Sequence, residues 1–144
     1  MPEQTAYLKG LGGKLNCYIA GGTGAVSAEM EKTLRANGTI ARRFAGTDRY
    51  ETSRMIAEEF FAKSDMAILA VGSNFPDGLS VGPLAAKVNA PILLTNNGAK
   101  SESSQAFTDS HGIKSGIVIG GPALISDEVA KSVLHNNTIV LYEN

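Results

Sequence analysis

Residues 66–95 read MAILAVGSNFPDGLSVGPLAAKVNAPILLT, and the fold class follows from them. Two apolar runs, Met66–Val71 and Pro91–Thr95, flank a Gly-, Asn- and Pro-bearing turn and an amphipathic segment, GLSVGPLAAKV, before which Asp77 is expected as N-cap. Strand, helix and strand in that order make a βα unit, and strands that are nearly all apolar are those covered on both faces. Gly116–Ile119, within GIVIG, has the same character, so these three runs are expected at the centre of one sheet. Working outward, Leu15–Ala20, Thr39–Arg43 and Thr138–Leu141 read as further strands. Helices are expected after Ser27 (AEMEKTLRA), Asp48 (RYETSRMIAEEFFAK), Ser101 (ESSQAFTDSH) and Ser126 (DEVAKSVL), each opened by a residue that accepts from free backbone N–H groups. In the second of these, Tyr50, Ser53, Met55, Ile56, Phe60 and Phe61 form a mainly apolar stripe at helical spacing. The reading is one α/β domain over residues 1–144: an open, mainly parallel sheet with helices on both faces, in a Rossmann-like three-layer arrangement.

Composition bounds the function. With 144 residues, 43% of them hydrophobic and 19% charged, the chain suits one packed core and excludes fibrous and disordered classes. Cys17 is the single cysteine, so there is neither an intramolecular disulfide nor a cysteine metal cluster. A formal net charge of −1 lacks the broad basic field of a nucleic-acid binder, which leaves only local basic patches. No apolar run approaches the ~20 residues of a membrane span. The stretch MPEQTAYLKG lacks the charged-then-apolar order of a signal peptide, which fits either a cytoplasmic chain or a mature fragment freed of its export signal.

The chain also echoes itself. IAGGTGAVSAEMEKTL, from Ile19 to Leu34, aligns with VIGGPALISDEVAKSV, from Val118 to Val133. Gly22 matches Gly121, Val26 matches Ile125, Ser27 matches Ser126, Glu29 matches Glu128 and Lys32 matches Lys131. A strand–turn–helix unit repeated about 99 residues apart exceeds the solenoid periods and suggests one complete module plus the closing unit of a preceding one.

Three constellations carry polar chemistry. The turn AGGTGAV at Ala20–Val26 has the look of a dinucleotide-binding loop, with Gly21, Gly22 and Thr23 offering backbone donors, but a third glycine and a ribose-binding acid are missing. Arg42 and Arg43 can instead meet a 2′-phosphate; the bland alternative is a tight βα turn. The run Arg42–Thr52 (RRFAGTDRYET) places Asp48 or Thr47 as N-cap and Arg49 in the first turn, where a cation opposes the helix dipole and needs a specific partner. Arg43, Arg49 and the helix start together would make an anion site, whereas the plain reading is a cap, a packed Tyr50 and a salt bridge. The run Val71–Ser80 (VGSNFPDGLS) follows the strongest strand, where open α/β sheets bind ligands, and Asn74 and Asp77 are its polar groups. Nucleophilic catalysis lacks its parts: the histidines, His111 and His135, fall near helix ends, and neither GxSxG nor a histidine metal motif occurs. No catalytic residue, cofactor or metal is expected.

Taken together, RFAGTDRYETSRMIAEEF, AILAVGSNFPDGLSVGPLAAKVNAPILLT and GIVIGGPALISDEVAKSV resemble the cell wall binding repeat type 2 family of Gram-positive bacteria. The resemblance covers residues 43–134 as one complete repeat, with residues 15–34 similar to the closing unit of another. It implies a secreted, non-catalytic module that anchors surface-layer proteins, adhesins or autolysins by binding an anionic wall glycopolymer. It also implies three modules packed around a pseudo-threefold axis, reached here by a homotrimer or by tandem sister modules. The residues it assigns to ligand or neighbour are Asp48, Arg49, Tyr50, Asn74 and Asp77, with Gly21, Gly22, Thr23, Gly120 and Gly121 as backbone donors and Arg42 and Arg43 as local positive charge. The competing expectations are a nucleotide-binding enzyme using Gly21–Gly24 and a purely structural oligomerisation module.

Overall fold

The computed structural model describes residues 2–10, 16–37, 40–98, 101–135 and 138–141; Leu15 and Thr39, expected as strand ends, lie outside them. Two compact units divide the chain, Met1–Gly46 and Thr47–Asn144.

The first unit runs α1 (Pro2–Gly10), β1 (Asn16–Ala20), α2 (Ala28–Ala36) and β2 (Ile40–Phe44). β1 and β2 pair in parallel, from Asn16 opposite Ile40 to Ala20 opposite Phe44. Ser27 caps α2 as expected, its Oγ accepting from the Met30 amide at 3.2 Å. One face of the pair is apolar: Ile19 and Leu34 are buried, with Cys17, Val26 and Met30 packed against them. α1 is absent from the sequence reading because PEQTAYLKG has no apolar stripe to announce it.

The second unit runs α3 (Arg49–Phe60), β3 (Met66–Val71), α4 (Phe75–Ser80), α5 (Gly82–Val88), β4 (Ile92–Thr95), α6 (Glu102–Ser110), β5 (Ser115–Ile119), α7 (Asp127–Val133) and β6 (Thr138–Leu141). Its four strands are all parallel, in the order β4-β3-β5-β6. The pleat sends alternate side chains to opposite faces. Ala67, Leu69 and Val71 of β3 meet Ala57 of α3, Phe107 of α6 and Ala130 and Val133 of α7, while Ile68 and Ile117 meet Val81 and Ala85 on the α5 side. Helices thus cover both faces, which is why β3 could be apolar throughout: Ala67 to Ala70 are 0% exposed. Each branched side chain so buried contributes about 1.5–3 kcal/mol.

Five local expectations change. The six strands lie in two sheets rather than one. PILLT is an edge strand rather than a central one, and its apolar character survives there because helices cover it: Ser53 Oγ of α3 accepts from the Leu94 amide at 3.1 Å, and Ser104 Oγ of α6 donates to the Leu94 carbonyl at 2.8 Å. Asp77 is not an N-cap. It lies inside α4, whose N-cap is Asn74 and whose first turn holds Pro76, a residue that tolerates that place because the amides there have no helical partner. A new helix then starts at Gly82, with Pro83 in its first turn, so the single expected helix is two. Finally, α3 ends at Phe60 rather than Lys63, and Phe60 is 46% exposed instead of joining the stripe.

Candidate functional site

In the second unit the chain passes from β3 to β4 on one side, then crosses back over to β5 on the other. The carboxyl ends of β3 and β5 therefore flank the point where the winding reverses, the crevice in which open α/β sheets take ligands. The loops on either side carry Gly72, Ser73 and Asn74 after β3, and Gly120 and Gly121 after β5.

The first turn of α3 fixes the β3 exit. Asp48 Oδ1 accepts from the amides of Tyr50 (2.9 Å) and Glu51 (3.0 Å), which settles the N-cap on Asp48 rather than Thr47. Glu51 reaches back to accept from the Thr47 amide at 2.6 Å, and this bond holds its carboxyl below the ordinary carboxylate range. With its backbone so held, Arg49 donates from Nη1 to the Gly72 carbonyl at 2.8 Å. The first-turn arginine thus has the specific partner its position demanded, a carbonyl rather than a carboxylate. Tyr50 is buried with its ring against Gly72, where a Cβ would lie 2.8 Å from Cζ.

Across the crevice, Asp77 leans toward the β5 exit: its Oδ2 lies 3.5 Å from the point where a Cβ on Gly120 would stand. Gly120 also has a φ of +122°, which only glycine adopts without strain. The Gly121 carbonyl accepts from the amides of Leu124 (2.9 Å) and Ile125 (3.1 Å) and closes the turn. Asn74 is exposed and makes no side-chain cap bond. Asp48, Arg49, Tyr50, Asn74, Asp77, Gly120 and Gly121 therefore all lie in the second unit, around the ends of β3 and β5 or the helix start that clamps them.

Gly21, Gly22, Thr23, Arg42 and Arg43 belong to the first unit. Gly21, with a φ of +114°, leaves β1, and the amides of Ala25 and Val26 both donate to the Gly22 carbonyl at 3.0 Å. Two of the turn's amide donors are thus turned inward. Arg43 donates from Nη1 to the Gly21 carbonyl at 2.6 Å and from Nε to Glu31 Oε2 at 3.0 Å, with its side chain 13% exposed. Glu31 is held below the ordinary carboxylate range by Arg35 first and Arg43 second. Arg42 lies over the Phe44 ring, 5.3 Å from its centre.

Polar groups at the end of β4 went unnoticed in the sequence. Asn97 ties the loop after β4 to the loop after β5: Nδ2 donates to Ala123 O (3.2 Å) and Oδ1 accepts from the Ser126 amide (2.7 Å). Among the described residues, Thr95 Oγ1 and Asn96 Oδ1 are buried without a hydrogen-bond partner, while the Thr95 carbonyl accepts from the Gly72 amide at 2.9 Å. Their signal was there to read, as the switch from ILL to Thr-Asn-Asn at a carboxyl strand end. Of the histidines, His111 serves a helix end, its Nδ1 2.9 Å from Phe107 O, whereas the His135 ring meets a side chain, its Nε2 2.9 Å from Asp109 Oδ1. Among the described residues no cluster of His, Cys, Asp or Glu is suited to hold a metal.

Fold and site together define a parallel α/β module whose polar groups fasten loops at the strand ends. The chain belongs to the cell wall binding domain 2 (CWB2) family, whose model matches residues 43–130, a span that holds the whole β3–β5 crevice. It is 36% identical over 114 residues to the N-acetylmuramoyl-L-alanine amidase LytC of Bacillus subtilis, covering 79% of this chain and 23% of that protein. It is 32% identical over 124 residues to the amidase enhancer of the same organism, covering 86% and 16%. Among solved structures, Cwp8 from Clostridium difficile superposes with a TM-score of 0.67 at 29% identity, over 88% of this chain and 22% of that one. The chain thus spans less than a quarter of each of these relatives. The family is a binding domain, and its membership implies a cell-wall or cell-surface location. No described helix is long and apolar enough to cross a membrane.

Proposed function

We propose that this chain is a non-catalytic anchor that holds a surface protein to an anionic cell-wall glycopolymer, working as one of three modules in a homotrimer or beside tandem sister modules. The observation that carries the reading is the family match over residues 43–130, which takes in the crevice bounded by Arg49, Asn74, Asp77, Gly120 and Gly121. Arg49 makes its one described hydrogen bond through Nη1, so its remaining donors suit phosphate or carboxylate groups of a polymer. Asp48 and Tyr50 hold Arg49 in place, and Asn74 and Asp77 offer neutral and acidic partners to sugar hydroxyls or a neighbouring module. Gly21, Gly22 and Thr23 are the backbone donors of the closing unit of a preceding repeat, residues 15–34, and Arg42 and Arg43 add local positive charge where the complete repeat at 43–134 begins. Near-zero net charge makes this local arrangement, rather than a general field, the source of attraction, and multivalency raises a weak single-site affinity.

Co-sedimentation with purified Gram-positive walls tests the reading. Binding is expected for intact walls, to weaken as salt rises, and to disappear for walls stripped of their anionic polymers. Arg49→Ala is expected to weaken binding roughly tenfold, the loss of one charge-assisted hydrogen bond. An unchanged bound fraction in a variant that keeps its melting transition removes Arg49 from the ligand. Light scattering that gives a trimer, with no sedimentation on any wall, assigns the same residues to assembly alone.

A further inference from the structure

Three pairs in the chain set an amide or acid side chain directly before glycine: Asn37-Gly38, Asp77-Gly78 and Asn97-Gly98. Such a pair is reactive, because glycine has no Cβ to shield its amide nitrogen from the side-chain carbonyl carbon of the residue before it. Ring closure between those two atoms needs a backbone far from helical. Gly78 sits inside α4, where a helical ψ of about −42° keeps the two atoms apart. Asn37 closes α2, with Nδ2 donating to the Thr33 carbonyl at 2.7 Å, and Gly38 lies outside the described residues.

Asn97-Gly98 differs on each count. It follows β4, lies outside any helix, and both residues are exposed. Gly98 has a φ of +98°, and nothing stands within 4 Å of the place a Cβ would take. Among the described residues its amide has no hydrogen-bond acceptor, while its carbonyl accepts from the Ser101 amide at 3.0 Å and from Ser101 Oγ at 2.8 Å. The nucleophile is therefore free and only the electrophile is held. Asn97 Nδ2 donates to the Ala123 carbonyl and Oδ1 accepts from the Ser126 amide, so both side-chain atoms are engaged on the loop after β5. Loss of Nδ2 requires the first of these bonds to break, and pyramidal distortion of the amide weakens the second.

We propose that Asn97-Gly98 is a self-modification site whose rate is set by the tie between the loops after β4 and β5. The Gly98 nitrogen bonds to Asn97 Cγ and gives its proton to solvent; the Cγ–Nδ2 bond breaks, and Nδ2 takes up a proton and leaves as ammonia. Water then adds to either carbonyl of the ring and opens it, leaving aspartate or isoaspartate at position 97. Nothing is oxidised or reduced. Either product undoes the tie. An aspartate oxygen still accepts from the Ser126 amide, but no N–H faces the Ala123 carbonyl, and two acceptors at that distance repel. The new charge also stands at the start of α7, which already holds Asp127 and Glu128. Isoaspartate routes the main chain through the side chain, a methylene longer, and so also displaces the Asn97 amide from the Leu124 carbonyl it meets at 3.2 Å. The loop that carries Gly120 and Gly121 is thus released by a step that needs only water, independent of what the crevice binds.

Incubation of the full chain in mildly alkaline buffer, with peptide mapping that separates aspartate from isoaspartate at position 97, tests the proposal. Conversion is expected in the folded chain, about tenfold slower than in a free peptide of residues 95–104, because the tie must open first. Ser126 has a φ of −69°, which proline accepts, so Ser126→Pro removes the amide that Asn97 Oδ1 accepts from, whereas Ser126→Ala removes only the hydroxyl cap on the Val129 amide. The proline variant is expected to convert about tenfold faster than the alanine variant. In Asn97→Asp the Ser126 amide is expected to exchange about tenfold faster than in the parent, with β3 protection unchanged. Conversion of the peptide without conversion of the folded chain overturns the proposal, as do equal rates in peptide and folded chain. Equal Ser126 exchange in Asn97→Asp and parent overturns it too, and neither of these comparisons depends on how the proline variant folds.

Discussion

A methyl group on Gly72 would enter the ring of Tyr50, 2.8 Å from Cζ and closer still to Cε1, so space rather than backbone dihedral keeps this position glycine. Nothing flexible stands between them, because the ring is buried and its helix is pinned through Asp48 and Arg49. Gly72→Ala is therefore expected to cost about 1–3 kcal/mol in urea denaturation, the usual range for overpacking. Pairing it with Tyr50→Leu should recover part of that loss, because the two residues share one volume. Additive losses in the double variant would mean that the ring is not the obstacle. Gly120 differs: its φ of +122° strains any side chain whatever the space around it. Both glycines were visible in the sequence as turn residues, and Tyr50 as a packed aromatic. Their pairing was not, because a contact across 22 residues of chain leaves no periodic mark.

At the scale of elements, the segments with strong local rules were the readable ones. Met66–Val71 and Thr138–Leu141 appear with the expected bounds, and Ser27, Asp48 and Ser126 cap the expected helices. Local rules gave out where two of them competed. Asp77-Gly78 looks like a cap and turn, yet Asn74 two residues before Pro76 starts the helix earlier. PILLT has the composition of a central strand, and composition cannot tell a central strand from an edge strand sealed by Ser53 and Ser104. The start of α3 yields a pH prediction. The Thr47 amide holds the Glu51 carboxyl below its ordinary range, so the folded state binds that proton less readily than the unfolded chain. The stabilisation is full above the ordinary carboxylate range and is lost as pH falls through the lowered folded value. Glu51→Gln is expected to be less stable at neutral pH and to lose less stability on acidification. Parallel stability–pH curves for the variant and parent would show that this carboxylate contributes nothing.

For the whole molecule, the two units differ in what each can hold alone. In the second, the apolar clusters on both sheet faces are drawn wholly from residues after Thr47, and four parallel strands carry helices above and below. The first has, among its described residues, two strands, and its 46 residues are close to the size of roughly 40 below which a lone core is seldom enough. This division was hard to read from sequence, because β2 and α3 are separated by only Ala45 to Asp48, a gap of ordinary loop length. The repeat about 99 residues apart was the one hint of it. A chain of residues 47–144 alone is therefore expected to melt cooperatively and to keep dispersed amide resonances and slow exchange in β3 and β5. Residues 2–46 alone should show neither, because a parallel pair of two short strands buries too little apolar surface to repay the entropy of ordering its chain. Fast exchange throughout β3 in the 47–144 chain would mean that its core depends on the first unit and that the two units fold as one.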